Sequence, residues 1–148
     1  MEEQRIPKVT AIVLRDSPNG PEVLLFDHPT EDEGTMVQFP AGTIEPGEAP
    51  ENAVIRELME ETGVEGRIVD LAGILDQEWK GVLWHRWIYM IEPIGDVKDE
   101  WPYHCDCGVP IQIRWELFET ATIHEAQTPW LEIGRSFHHQ SSQNSSAN

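Results

Sequence analysis

Residues 42–64 read GTIEPGEAPENAVIRELMEETGV. Pro50 suits a first helical turn, Glu51 favours the positive end of a helix, and Gly63 supplies a left-handed stop after Thr62. The spacing therefore predicts a helix over Pro50 to Thr62. Within it, Glu57, Glu60 and Glu61 stand at i, i+3 and i+4, which puts three carboxylates on one face within a single turn. Like charges so spaced cost a helix roughly 0.2–0.5 kcal/mol per pair. Anions near its negative end lose about 0.3–1 kcal/mol more. From Ala49 to Thr62 the only cation is Arg56. Several local preferences fail together, as expected where function overrides stability.

A hard divalent cation relieves that repulsion. Carboxylate oxygens are the ligands Mg²⁺ and Mn²⁺ prefer, and Mg²⁺ takes only one or two from a protein, filling its octahedron with water and phosphate oxygens. Three helical carboxylates, with Glu48 from the preceding turn, form a candidate metal set.

The same segment resembles the box of the Nudix hydrolases. Gly42, Glu48, Arg56-Glu57, the aliphatic Leu58, Glu60-Glu61, Gly63 and the aliphatic Val64 match all nine specified positions across 23 residues. The approach to it, Phe39-Pro40-Ala41-Gly42, is also similar to the family's. The resemblance implies an α/β/α sandwich with a mixed β-sheet, and hydrolysis of a nucleoside diphosphate linked to another group with Mg²⁺ or Mn²⁺ as cofactor. By that resemblance Glu57, Glu60 and Glu61 bind metal, Glu48 supports the site, Arg56 orients the carboxylates, and Gly42 and Gly63 permit the backbone turns. Glu57 is also a candidate general base, with Glu60 beside it in the catalytic set. Members of the family also draw the base from outside the box, and Asp99, Glu100, Asp106 and Glu116 are the alternatives here. Family analogy further implies a homodimer. A rival reading on the same fold is a module that binds or senses a nucleotide without cleaving it.

Upstream of the box, Lys8 to Arg15 and Glu22 to Phe26 read as a strand hairpin across the turn-rich residues 16–21, followed by an exposed acidic loop over Asp27 to Thr35. Val37 to Ile44 is extended but broken at Pro40 and Gly42. Downstream, Arg67 to Leu75 and Leu83 to Ile91 read as strands joined by a loop at Asp76 to Gly81. A long polar connection from Glu92 to Gly108 follows, then a last strand at Val109 to Phe118 and helical pieces at Ala121 to Gln127 and Pro129 to His138. This order suggests a mixed sheet with helices packed on it, an α/β or α+β sandwich. Residues 1–139 then form one domain and 140–148 a disordered polar tail.

In WKGVLWHRWIY, residues 79–89, strand alternation puts Trp84, Arg86 and Ile88 on one face and His85, Trp87 and Tyr89 on the other. Arg86 is a candidate phosphate contact, while Trp101, Tyr103 and His104 in the long connection are candidate base contacts. His104-Cys105-Asp106-Cys107 lacks the paired CxxC spacing of a zinc ribbon and has no second pair, so zinc is not expected there. His28, at the edge of the acidic loop, reads as incidental.

Composition bounds the partners. The 148 residues carry 10 Lys plus Arg against 27 Asp plus Glu, a formal charge of -17, which argues against a nucleic-acid polymer or an anionic membrane and leaves a small nucleotide-derived substrate. Hydrophobic residues are 39% of the chain and six are Trp, enough for a packed core. Cys105 and Cys107 are too close to frame a disulfide scaffold, which suggests a reducing compartment. With no secretory h-region at the start and no apolar run near the ~18 residues of a membrane span, the chain is expected to be cytoplasmic.

Overall fold

The computed structural model describes residues 4–146 apart from positions 33 and 106, with side chains described as far as 143. Among the described residues eight strands, two α-helices and one 3-10 turn follow one another as β1 (Arg5–Arg15), β2 (Glu22–Pro29), β3 (Thr35–Gln38), β4 (Ala41–Thr43), α1 (Pro50–Thr62), β5 (Gly66–Trp79), β6 (Val82–Pro93), β7 (Glu100–His104), β8 (Pro110–Leu117), the 3-10 turn Glu125–Gln127 and α2 (Thr128–Ser146). The strands lie in the order β5-β6-β1-β2-β8-β7, with β3 on β2 and β4 on β1. The sheet is mixed because β1 runs parallel to β6, from Arg5 opposite Leu83 to Val13 opposite Ile91, while the other pairings are antiparallel.

Alternation along β1 splits the core in two. Val9, Ala11 and Val13 face Ala53, Val54 and Leu58 of α1, whereas Ile12 faces Trp130 and Leu131 of α2. Likewise Tyr89 and Ile91 lie on the α1 side, and Ile88 and Met90 on the α2 side. The result is the α/β/α sandwich, one helix on each face.

Several boundaries differ from the sequence expectation. The hairpin at β1 and β2 is paired only beside its turn, Leu14 with Val23 and Arg15 with Glu22, while the rest of β1 is paired to β4 and β6. The acidic loop is shorter than expected, since β2 runs to Pro29 and β3 returns from Thr35. Asp76 to Gly81 is a hairpin end rather than a loop: β5 and β6 pair as far as Trp79 with Val82, and Lys80 and Gly81 turn with φ of 51° and 77°. The long connection holds β7, paired residue by residue with β8. Residues 140–146 of the expected tail are helical, as α2 continues to Ser146, anchored by Trp130, Leu131, Ile133 and Phe137 on the sheet, while 147 and 148 lie outside the described residues. Cys105 and Cys107, read as too close to frame a disulfide scaffold, are joined to each other in a disulfide at the β7–β8 tip. Among the described residues no helix is long and apolar enough to cross a membrane.

Candidate active site

The turn before α1 is held by its own carboxylate. Glu48 accepts from the Glu45 N–H at 3.0 Å, and its N–H returns to the Glu45 carbonyl at 3.0 Å. α1 then starts with Pro50 in its first turn and stops at Gly63, whose φ of 75° is the left-handed stop, with its N–H on the Met59 carbonyl at 2.9 Å. Because Ala53, Val54 and Leu58 bury one face, Arg56 and Glu60 are left half-buried.

Arg56 is the hub. Its Nε and Nη2 donate to both Glu48 oxygens at 2.8 Å, and its Nη1 donates to Glu57 at 3.0 Å and Glu60 at 3.1 Å. Nη2 also reaches the Thr43 carbonyl at 3.1 Å, and Glu45 stands 3.8 Å from Nη1. The Arg56 fork, helped by the Glu45 N–H, lowers the Glu48 pKa to about 2. The hydrogen bonds to Glu48 hold the guanidinium more firmly protonated in turn.

Glu57 is only 8% exposed, and its carboxylate lies directly on the backbone of Gly42. A Cβ at Gly42 would come within 2.1 Å of the Glu57 carboxyl carbon. Gly42 is thus needed for clearance; it sits in β4 opposite Val9 and is not among the positive-φ residues, so the expected role in a turn is corrected. Glu61 accepts from the Ala41 N–H at 3.0 Å, which ties the end of α1 to β4. The carboxylates spread around Arg56 instead of closing on a point, a donor set of oxygens suited to a hard cation that takes few protein ligands.

Two further cations lie on the neighbouring strands β1 and β6. Lys8, opposite Arg86 across the parallel β1–β6 pair, donates to Thr43 Oγ1 at 2.6 Å and lies 4.6 Å over the ring of Trp84. Burial lowers its pKa and the Arg86 charge adds to that, while Glu57 and Glu61 oppose. Arg86 is 6% exposed, stacks 3.7 Å over Trp130, and donates from Nη1 to Thr10 Oγ1 at 2.9 Å and the Val9 carbonyl at 3.3 Å. Its Nε is buried with no partner, and among the described residues no carboxylate pairs with it. Burial pushes its pKa down to about 10. A buried guanidinium without a counter-charge is costly, and it suits a site built for an anionic or acceptor-rich ligand.

The register thus brings Arg86 to Thr10, which pairs across β1–β4 with Ala41, the residue whose N–H bonds Glu61. The other outlying candidates are not brought to the carboxylates. Trp101 donates from its indole to the Thr62 carbonyl at 3.1 Å, and the Tyr103 hydroxyl donates to the Met59 carbonyl at 3.5 Å, so both cover the C-terminal end of α1. They line a cleft of about 370 Å³ with Gly63, Val64 and Val97 that contains none of the box carboxylates. His104 is exposed opposite Pro110, and Glu100 is exposed opposite Arg114. Asp99 is held by Arg15 at 2.9 Å, seven residues past Lys8 on β1, or roughly 23 Å along a strand. Glu116 is held by Arg114 at 2.7 Å, in register with Val23 at that same far end. Asp106 lies outside the described residues. Sequence reasoning missed Lys8, Thr10, the Ala41 N–H and Trp130. None of these stood out in the sequence, Lys8 being one of three cations in β1 with Arg5 and Arg15.

Known proteins bear on this arrangement. The model of the NUDIX domain matches residues 5–132. The chain is 39% identical over 56 residues to the 8-oxo-dGTP diphosphatase of Escherichia coli, covering 38% of this chain and 43% of that protein. It is 32% identical over 81 residues to the CTP pyrophosphohydrolase of the same organism, covering 54% of this chain and 57% of that one, so it spans about half the length of these relatives. In fold it is similar to the solution structure of the E. coli ORF135 protein, with a TM-score of 0.72, 24% identity and 91% of each chain covered. With the motif, its helix and the sheet in register along nearly its whole length, the chain belongs to the NUDIX family.

Proposed function

We propose that the chain is a hydrolase that splits the phosphoanhydride bond of a nucleoside diphosphate linked to another moiety, with Mg²⁺ or Mn²⁺ held by Glu57, Glu60, Glu61 and Glu48. The observation that carries the reading is the buried Glu57 carboxylate seated on Gly42, with Glu60 beside it on the same arginine and Glu61 tied to Ala41. The family membership and the pyrophosphohydrolase names of its relatives support it.

A divalent cation, when bound, neutralises diphosphate charge and lowers the pKa of water. Glu57, held by Arg56, serves as the general base that takes the proton from the attacking water, with Glu60 adjacent in the same role set. Arg56 fixes both carboxylates and the Glu48 turn in one orientation. Arg86 and Lys8 receive phosphate or base acceptor atoms of the substrate, the fork of Arg86 being held flat by Trp130. Cations are scarce in the chain, so these two carry most of the direct recognition of anionic groups.

The experiment is a screen of nucleoside triphosphates, nucleotide sugars, ADP-ribose and dinucleotides with Mg²⁺ and Mn²⁺, followed by Glu60→Gln, Glu61→Gln and the double variant on the best substrate. Each single variant is expected to lower kcat by about 100-fold or more, since metal-borne charge stabilisation is worth several kcal/mol at 1.36 kcal/mol per decade. The melting temperature is expected to hold, because each change removes one of several crowded like charges. Undiminished activity in the double variant overturns the assignment. Tight binding by calorimetry with no turnover of any compound replaces the hydrolase with a nucleotide-sensing module.

A further inference from the structure

The tip of the β7–β8 hairpin carries chemistry that the phosphoanhydride reaction does not use. Cys105 and Cys107 flank a turn closed by the Gly108 N–H on the Cys105 carbonyl at 2.8 Å and the Cys105 N–H on the Val109 carbonyl at 3.1 Å. A histidine from the other side of the sequence meets them there: His28, near the end of β2, places Nε2 3.8 Å from Cys107 Sγ. The ligand atoms of His28, Cys105 and Cys107 all lie within 4.8 Å of one another, the one such grouping of three His, Cys, Asp or Glu residues among the described residues. Cys105 is buried, His28 half-buried and Cys107 exposed, so the cluster has a floor and an open side.

The tautomer of His28 is fixed by its surroundings. Nδ1 lies 2.8 Å from the Pro29 carbonyl, and a carbonyl can only accept, so Nδ1 carries the proton and Nε2 presents its lone pair to the sulfurs. An imidazole whose outer nitrogen is bonded to a backbone carbonyl is the usual form of a metal-ligating histidine. Two sulfurs and an imidazole are ligands of the softer metals, whereas the carboxylate box suits hard ions, so the two sites sort cations by ligand type.

We propose that the reduced pair Cys105 and Cys107, together with His28 Nε2, binds a divalent cation of the Zn²⁺ class, with water in the fourth position on the open side. The disulfide form does not bind it, because the sulfurs there are joined to each other. A thiol reductant R–SH opens the site: the S–S bond breaks, two electrons enter as two R–SH become R–S–S–R, and both cysteines are left as thiols. Metal binding then displaces the two thiol protons to solvent, and the 2+ charge is met by two thiolates. The bound ion ties the hairpin tip to β2. Tyr103, two residues before Cys105, bonds to Met59 of α1, so the same clamp steadies the strand that covers the C-terminal end of the box helix.

The test uses the full chain, reduced with a phosphine under anaerobic conditions, and Co²⁺ as probe. Stoichiometric Co²⁺ is expected to give a sulfur-to-cobalt charge-transfer band with tetrahedral visible bands, which Zn²⁺ bleaches. Cys107→Ser and His28→Ala are each expected to change it, the first by losing sulfur ligation and the second by losing the tetrahedral pattern. Glu60→Gln keeps the spectrum, because carboxylates give no such charge transfer. Zn²⁺ should also raise the melting temperature of the reduced protein and leave that of the disulfide form unchanged. Circular dichroism of each variant separates misfolding from loss of a ligand, and His28→Gln provides a second variant if His28→Ala does not fold. Absence of the charge-transfer band in the reduced protein, or cysteines that react with a thiol reagent equally fast with and without saturating Zn²⁺, overturns the proposal. None of these readouts depends on hydrolase activity.

Discussion

Gly42 shows how a single residue makes room for a buried carboxylate. Its missing side chain is the space in which the Glu57 carboxylate lies, and a methyl group there would overlap the carboxyl carbon at 2.1 Å. The overlapped group is the end of a flexible side chain, so Gly42→Ala displaces the carboxylate while the backbone stays in place. The variant is expected to lose kcat by about two to four orders of magnitude, the range for a lost general base, with stability changed by no more than about 1 kcal/mol. Steady-state kinetics beside a urea titration read both numbers, and full activity in Gly42→Ala would show that Glu57 works from another position. The motif made Gly42 recognisable in the sequence, but its reason was not legible there: clearance between β4 and α1 depends on tertiary approach, which leaves no local signature. The facing of Arg86 was legible, because alternation in a strand has a period of two. Lys8 and Trp130 were not, since one lies 78 residues from Arg86 along the chain and the other sits on α2.

At the scale of elements, the box consists of a turn and a helix clipped together by Arg56 and Glu48. The bidentate contact holds the Glu48 pKa at about 2, well below the ordinary 4.5. A carboxylate depressed in the folded state adds stability above its unfolded pKa and loses it as the pH falls through the folded one. Melting temperature should therefore decline more steeply between pH 4.5 and 2 in the native protein than in Glu48→Gln, which starts lower at neutral pH and lacks this titration. Parallel melting curves across that window would mean that the clip adds nothing to folding. Element legibility followed the strength of local signals. Pro50 and Gly63 bound α1 at the residues predicted. β5 extends past its sequence reading because the polar run Asp76-Gln77-Glu78 before the Lys80-Gly81 turn looks like loop but pairs with β6, and β7 is hidden because Glu100-Trp-Pro-Tyr-His104 carries a proline and polar residues at a sheet edge. The serine-rich end of α2 has weak helix propensity and continues a helix whose first turns are already fixed by packing.

For the whole molecule, the charge of -17 sets the terms on which a polyanionic substrate arrives. The global field repels it, while in the reaction proposed above the attraction is local and would come from Arg86, Lys8 and a divalent ion at the box. These terms respond differently to salt. At about 0.01 M the Debye length is roughly 30 Å and the repulsion from the whole surface is felt, but at 0.15 M it is about 8 Å and only nearby charges act. Arg86, buried beneath Trp130, is screened far less than the exposed carboxylates. Raising monovalent salt at fixed free Mg²⁺ should therefore increase kcat/KM for a nucleotide substrate by roughly several-fold, the reverse of an electrostatically steered enzyme. Melting temperature should rise over the same range, because screening also relieves repulsion within the folded surface. A kcat/KM that falls steadily with salt would mean that the cleft presents a positive field strong enough to overcome the rest of the molecule, and that more cationic residues face the substrate than Arg86 and Lys8.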